Sequence, residues 1–508
     1  MGQLTKEDLA QMNEAYFDSL DHEKLVKVAS NLRDFGINLM EQLKQNSSNS
    51  SKPPSSDNPF NKKTNKDTSQ KESNNSQCAK DNSNNQTAKS ESLQPKDEPK
   101  RAPGKQPGSQ GFGRTVIPMC DEIVPHYPSN CSACEAELSK SETSVYMGYY
   151  TYELEKSDLG IKIICKLHHY HTIVCECGHE TKAIPGEGYV SCVEGRKKDL
   201  KLTEYVMIGP LFVTFIAALS VRYRMSRVKI KELISYWLAL DISTGTIDRC
   251  IREAGVACFP VVEQLIEQLQ QEELVHIDET PWYEKGMFKW LWVVVSKVTA
   301  IYFIGTRKKE ELLFIITSSY IGWIISDGYG AYRHYERRQR CLAHLVRKAV
   351  AITGAIDEEA QKLGNELLDG LRGLMKTMSE GEGNIKDRCG PLIERLNDVC
   401  NIGKDQKHSK VRELSREILN DWDAVVAFVN NPELPLTNNE AERALRHAVI
   451  ARRISFGTRT NEGSRAYTAL LSVIETCLLK KQDIWAYIAQ TIALGRKGIM
   501  PSSIPVSF

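Results

Sequence analysis

The sequence predicts a mixed α/β fold built in several segments, and three observations predict it. β-rich runs with short turns fill the stretch from Leu274 to Ser326, helical periodicity flanks it on both sides, and residues 46–115 are polar with almost no large apolar side chains. The chain has 508 residues, 41% of them hydrophobic, enough for a sizeable core even with one stretch unfolded. A net charge of +1 gives no global attraction to nucleic acid, so any basic surface has to be local. The N-terminus is polar rather than a signal peptide. The two longest apolar runs, 205–221 and 312–326, are interrupted by Gly209-Pro210 and by Thr317, Ser318 and Ser319. They read as buried elements of a soluble cytoplasmic protein, not as membrane spans.

In chain order, residues 1–45 read as a helix. Thr5 and Asp8 resemble a capping signal, and Leu25, Val28, Leu32, Phe35 and Leu39 alternate spacings of three and four. That is a short coiled-coil seam, or equally the face of an amphipathic helix packed on its own protein. Residues 46–115 read as a disordered linker, because such a composition cannot bury enough surface to offset ordering entropy. Its Lys and Arg at 101–115 can touch phosphates or simply be solvated. Residues 116–190 hold close cysteine pairs, and 200–270 read as helices. Residues 271–344 hold strands: VHID ends at Asp278, EKG turns, and FKWLWVVVS and AIYFIGT are β-runs. A helix over 308–318 and a strand over 322–326 follow. Helical periodicity returns over 345–430, and the last segment, 431–508, is helical over 438–497 with a Gly-containing turn near 455–464.

Fourteen cysteines are mostly scattered, and Cys250, Cys258, Cys341 and Cys477 sit in apolar contexts that suit small buried thiols. This usage is that of a reduced, intracellular chain. The close pairs are Cys131-Ser-Ala-Cys134 and Cys175-Glu-Cys177. The first has the spacing at which two thiolates meet one tetrahedral zinc. The second is tighter, so His171 or His179 is an alternative ligand, and four free thiols are the bland reading. A closed zinc-finger-like module leaves no open position for chemistry and serves binding or docking.

Residues 226–237 and 243–255 form two helices around a turn, an outline that suits either a helix-turn-helix or any packed helical hairpin. In the first case Arg249 and Arg252 would face DNA.

Asp278 and Asp327 each end a β-run before a turn, with two further β-runs and a helix between them, room for the first strands of an RNase H-like sheet. Glu440 and Glu442 follow Asn438 and Asn439, which are fitting N-caps, so an acid lies on the first turns of a helix. Taken singly, these are ordinary turn and cap residues. Together they form a set of oxygen ligands for two Mg²⁺ (or Mn²⁺) ions, which hard cations require and which crowded carboxylates need for neutralisation. Such a pair stabilises both oxygens of an in-line phosphoryl displacement. Spacing leaves Glu440 and Glu442 undecided.

The blocks SSKPPSSD, APGKQPGSQG, the cysteine pairs, IGPLFVTFIAALSVRYRMS, VHIDETPWY, ISDGYGAY, CLAHLVRK, LTNNEAERALR and RRISFGTRTNEGSRAYTALLSVIETC occur in this order. Through them the chain resembles the insertion-sequence-66 family of bacterial DDE transposases over nearly its full length. The resemblance implies that Asp278, Asp327 and Glu442, the glutamate of NNxxER, are the catalytic and metal-holding acids. It departs from the family pattern at Thr437, where the family has Asp, and at the tighter Cys175/Cys177 pair. It implies an RNase H-like core with a helical insertion at 345–430, transposon ends and target DNA as partners, a homo-oligomer, and companion transposition proteins. Arg443, Arg446, Arg452 and Arg453, with Phe456 and Tyr467 nearby, become phosphate contacts on this reading. A transposase-derived DNA-binding protein without catalysis and a coiled-coil scaffold are the other readings.

Overall fold

The computed structural model describes residues 12, 14–43, 117–140, 143–158, 160–188, 200–380 and 384–506. The linker expected over 46–115 and the start of the N-terminal helix lie outside the described residues. In place of one helix there are two, α1 (Glu14–Asp18) and α2 (His22–Leu43). The Asp21 carboxylate accepts the Lys24 N–H at 2.9 Å and so restarts the helix as an N-cap. Along the expected seam Val28, Leu32 and Phe35 are half-buried and Leu25 is exposed, while the Leu39 side chain lies outside the described residues.

The cysteine segment is built on a sheet rather than on a small finger alone. β1 (Glu122–His126) runs parallel to β3 (Gly160–Val174), β2 (Thr143–Ser157) pairs antiparallel with β3, and β4 (Glu180–Lys182) closes on the end of β3. Among the described residues, the buried cluster at its cysteine end consists of Cys131, Leu138, Ile173 and Cys175, with Tyr127 against it. At the other end Glu153 of β2 accepts the Phe212 N–H at 3.0 Å, at the N-terminus of α3 (Pro210–Val221). A carboxylate suits that positive helix end, and Pro210 in the first turn has no N–H to leave unpaired. A Cβ on Gly209 would meet the Glu153 carboxylate, so a larger residue there would have to displace it from the helix end.

α4 (Arg227–Trp237) and α5 (Thr244–Leu269) start at Ser226 and Ser243, whose hydroxyls cap Lys229 and Thr246. α5 runs well past the expected end at 255. Ile247, Ile251, Ala254, Cys258, Val261, Leu265 and Leu269 keep a spacing of three and four through Pro260, and all are buried. Gly255 does not end the helix. It lets α5 approach Ala466 so closely that a Cβ there would overlap that residue's backbone.

The central sheet has the order β7-β6-β5-β8-β9, formed by β5 (Leu274–Glu284), β6 (Met287–Val295), β7 (Ala300–Gly305), β8 (Trp323–Ser326) and β9 (Arg338–Arg340). β5 pairs antiparallel with β6 and β6 with β7, whereas β5–β8 and β8–β9 are parallel, so β6 alone runs against the rest. Two expectations are corrected. The first strand does not stop at Asp278: Thr280, Trp282 and Tyr283 are β-formers, and β5 continues to a hairpin at Lys285-Gly286, both at positive φ (53° and 78°). The helix expected over 308–318 shrinks to α6 (Lys309–Leu313). β7 is an edge strand, and its free side is occupied. The Ser472 hydroxyl accepts Tyr302 N–H at 2.8 Å, and Thr476 accepts Ala300 N–H at 3.0 Å, both from α13 (Asn461–Leu479). Polar groups on an apolar helix thus satisfy an edge that would otherwise be orphaned.

After β9 come α7 (Leu342–Ile352), α8 (Glu358–Ser379), α9 (Ile385–Gly403), α10 (Ser409–Asn420) and α11 (Trp422–Val426), with an apolar core of their own. This helical unit begins at Leu342, three residues before the expected 345. It is keyed to the sheet by Arg340, which is 1% exposed and bonds Asp421 at 2.5 Å and Glu417 at 2.7 Å. Buried charge survives only when paired in this way. α12 (Asn439–Ser455), α13 and α14 (Ile484–Arg496) return to the first core. Among the described residues no helix is long and apolar enough to cross a membrane, and the run 205–221 is mostly the buried α3.

Candidate active site

Asp278 lies on β5 just beyond His276, the last β5 residue paired with β8, and Asp327 is the first residue after β8. Parallel neighbours therefore bring the two acids to adjacent positions at one end of the sheet. Their carboxylates accept local amides, Asp278 from Glu279 N–H and Asp327 from Tyr329 N–H, both at 2.9 Å. Gly328 has no room for a Cβ beside Arg340 and Glu417, so the turn after Asp327 is fixed by the ion network of the insertion.

Glu442 is in the first turn of α12, which packs on β5 and β6. Asn438 does not cap this helix with its side chain, contrary to expectation. It is fully buried and ties helix to strand. Its amide nitrogen donates to Ile277 C=O at 2.7 Å, its oxygen lies 3.1 Å from His276 Nδ1, and its backbone N–H meets Cys341 Sγ at 3.2 Å. Asn438→Ala leaves a buried carbonyl unpaired beside Asp278. It is expected to cost roughly 1–3 kcal/mol in denaturant unfolding and about 10–100-fold in any activity that needs Glu442 in place.

Burial first, then the charges of Glu279 and Asp327 with a contribution from Glu442, holds the Asp278 carboxyl well above the usual carboxylate range. Acids crowded in this way fit a cation, which would relieve the repulsion. Glu279 has partners of its own: Arg307 bonds it at 2.6 Å, Tyr332 donates to its other oxygen, and Arg307 lies over the rings of Trp290 and Tyr329. Glu440 is exposed and pairs with Arg443 at 3.4 Å. Glu442 accepts from Arg347 at 2.9 Å and lies 3.7 Å from His344. Burial, then Arg347, brings the His344 imidazole down to about 4, so it is neutral at ordinary pH. Among the described residues, donor sets that close within 4.8 Å are the four cysteines and Cys341–His344–Glu442; the three carboxylates are not such a set. His344 and Arg347 escaped the residue-level reading. The signal was the CLAHLVRK block, where a His and an Arg lie one turn apart at the start of a helix that follows a strand.

Of the arginines, Arg249, Arg443, Arg446 and Arg453 are exposed. Arg252 pairs with Asp248 at 3.0 Å. Arg452 is half-buried and donates to Thr280 Oγ1 at 3.0 Å and to the Pro281 carbonyl, holding α12 on β5.

The four cysteines converge. Cys131 and Cys177 sulfurs are 3.7 Å apart, and Cys134 and Cys175 are 3.6 Å apart. Sulfurs on a tetrahedral zinc with bonds of about 2.3 Å are about 3.8 Å apart, so the cluster is consistent with a zinc site. Each pair sits on a tight turn, with Glu135 and Gly178 at positive φ immediately after the second cysteine. Backbone N–H groups of Cys134 and Ala133 draw the Cys131 thiol down to about 6, toward the thiolate that zinc needs. The alternative ligands are engaged elsewhere: His179 bonds Ser132 at 2.8 Å, and His171 packs on Tyr127.

Residues 206–466 match the family described as Transposase IS66 family. The chain is 20% identical over 444 residues to the uncharacterized protein y4qI of Sinorhizobium fredii, covering 80% of this chain and 77% of that protein. It is 23% identical over 295 residues to the uncharacterized protein y4hP of the same organism, covering 50% and 53%.

Proposed function

Because the chain belongs to the IS66 transposase family, we propose that it cuts the ends of a DNA element and joins them to target DNA at one site formed by Asp278, Asp327 and Glu442. The observation that carries this reading is the pairing of parallel β5 and β8, which sets Asp278 beside Asp327 while Asn438 pins the Glu442 helix to the same strand. The sheet order, with β6 alone antiparallel, supports an RNase H-like core.

Two Mg²⁺ or Mn²⁺ ions, when bound, neutralise the acids and stabilise the entering and leaving oxygens of an in-line displacement. Asp278 would serve both ions, and Asp327 and Glu442 one each. In cleavage a water oxygen bonds phosphorus and the 3′ oxygen departs. In joining, that 3′ hydroxyl bonds a target phosphorus and the target's 3′ oxygen departs. The same residues serve both steps because only the nucleophile changes. Arg443 and Arg446 beside Glu442, together with Arg249 and Arg453, meet DNA phosphates. Arg252, ion-paired with Asp248 on its own helix, and Arg452, which also holds α12 on β5, complete this set of phosphate contacts.

The cysteine cluster holds a structural zinc and, with residues 200–270, binds the element's end. The N-terminal helices join copies of the chain, and the insertion flanks the DNA channel. Companion transposition proteins and a cytoplasmic location complete the reading. The test is strand cleavage and joining on the element's terminal-repeat DNA with Mg²⁺. Wild type is expected to do both, and Asp327→Asn and Glu442→Gln neither. Binding without cleavage by the wild type would instead support a silent DNA-binding protein.

A further inference from the structure

Glu442 has a partner that family membership does not assign. Its Oε1 accepts from Arg347 Nη2 at 2.9 Å, and the Arg347 side chain is only 18% exposed. Solvent therefore screens this pair weakly. The next cations along the same segment are committed elsewhere, Lys348 to Glu417 at 2.6 Å and Arg340 to Glu417 and Asp421. Arg347 is thus the guanidinium left to Glu442, and it arrives from α7 rather than from the strands that carry Asp278 and Asp327. In the same arrangement Glu442 closes within 4.8 Å on Cys341 and His344, not on the other two acids.

We propose that Arg347 is a positioning residue that competes with divalent metal for Glu442. It is the counter-ion that keeps the third acid against α7, so loading the site with cations requires the guanidinium to release the carboxylate. The physical argument is charge balance. A half-buried carboxylate, 28% exposed and in contact with a guanidinium that is itself 18% exposed, keeps a cation partner, and the partner is either Arg347 or a metal. A positive charge this close to one ligand opposes a dication at that ligand, and removing it strengthens metal binding by on the order of 10-fold at an intermediate effective dielectric. A purely structural arginine has the opposite signature, because its loss loosens α7 and α12 and weakens metal binding.

The proposal rests on the reading that the three acids hold metal, and the experiment separates the two. Mn²⁺ binding to the full-length, DNA-free protein is titrated by electron paramagnetic resonance for wild type, Arg347→Gln, Arg347→Lys and Asp278→Asn, with thermal melts to verify folding. The expected result is about 10-fold tighter Mn²⁺ binding in Arg347→Gln. Arg347→Lys, whose ammonium cannot make the same bond, is expected to fall between it and wild type, and it carries the test if the Gln variant does not fold. Unchanged or weaker binding in the Arg347 variants, with Asp278→Asn still losing Mn²⁺, overturns the competition. Wild-type Mn²⁺ binding in Asp278→Asn overturns the metal site itself.

Discussion

Asp278→Asn is expected to lower strand cleavage and joining by on the order of 10³-fold or more, and at the same time to raise the melting temperature of the metal-free protein. The two effects have one cause. Burial, then the neighbouring acids Glu279 and Asp327, pushes the Asp278 carboxyl well above its ordinary value of 3.8. A carboxyl whose folded pKa is raised favours folding while it is protonated. That contribution is complete below the unfolded value and is lost as pH rises through the raised folded value. The wild type should therefore lose stability relative to Asp278→Asn over that rise. The difference should be small near pH 4 and fully developed once Asp278 is ionised. Mg²⁺ should reverse the order by stabilising the wild type and leaving the Asn variant unchanged, since a ligand stabilises only the state that binds it. Calorimetric melts from pH 4 to 9, with and without Mg²⁺, check this. If the metal-free Asn variant melts below wild type at neutral pH, the acid is not under the repulsion that a metal site implies.

The two aspartates were legible in the sequence for local reasons. Each follows a β-rich run, and Gly328 after Asp327 marks a sharp turn. Their adjacency needed only a parallel pairing, which the intervening β-runs and helix suggested. Glu442 was not separable from Glu440 by spacing, since both sit in the first turn of one helix. What differs is long-range: Glu440 pairs along its own helix with Arg443, whereas Glu442 meets Arg347 from α7. β9 was illegible because Arg338, Gln339 and Arg340 carry no apolar signal. Arg340 is buried because Glu417 and Asp421, the latter eighty-one residues on, arrive to pair with it. The same limit hid the cap on β7, where Ser472 and Thr476 read as polar interruptions in a helix until the strand edge they satisfy is seen. Asn438 read as a helix cap from its position, and the strand carbonyl it bonds instead lies on a segment far away in sequence.

Zinc removal is expected to open the cysteine end of the β1–β4 sheet and leave the central sheet intact. Cys131, Leu138, Ile173 and Cys175 are too small a buried cluster to order the two cysteine turns, and two of the four belong to the proposed zinc site. Structural zinc contributes folding free energy on the order of 10 kcal/mol in isolated fingers. Here part of the load is carried by the fifteen-residue strands β2 and β3, which stay anchored through Tyr152 and Glu153 to the α3 segment. Chelation, or Cys131→Ser, should therefore release one zinc per chain and remove hydrogen-exchange protection from residues 131–138 and 175–182. Protection of β5–β7, whose edges are filled by β8 and α13, should not change. If the module binds the element's end, affinity for terminal-repeat DNA should fall at least about 10-fold, because an unfolded docking surface must be reordered on binding. Mn²⁺ binding at the carboxylates should stay as it was. Loss of protection in both places would mean that the cysteine turns hold up the core, and zinc would then be a fold determinant for the whole chain rather than for one docking module.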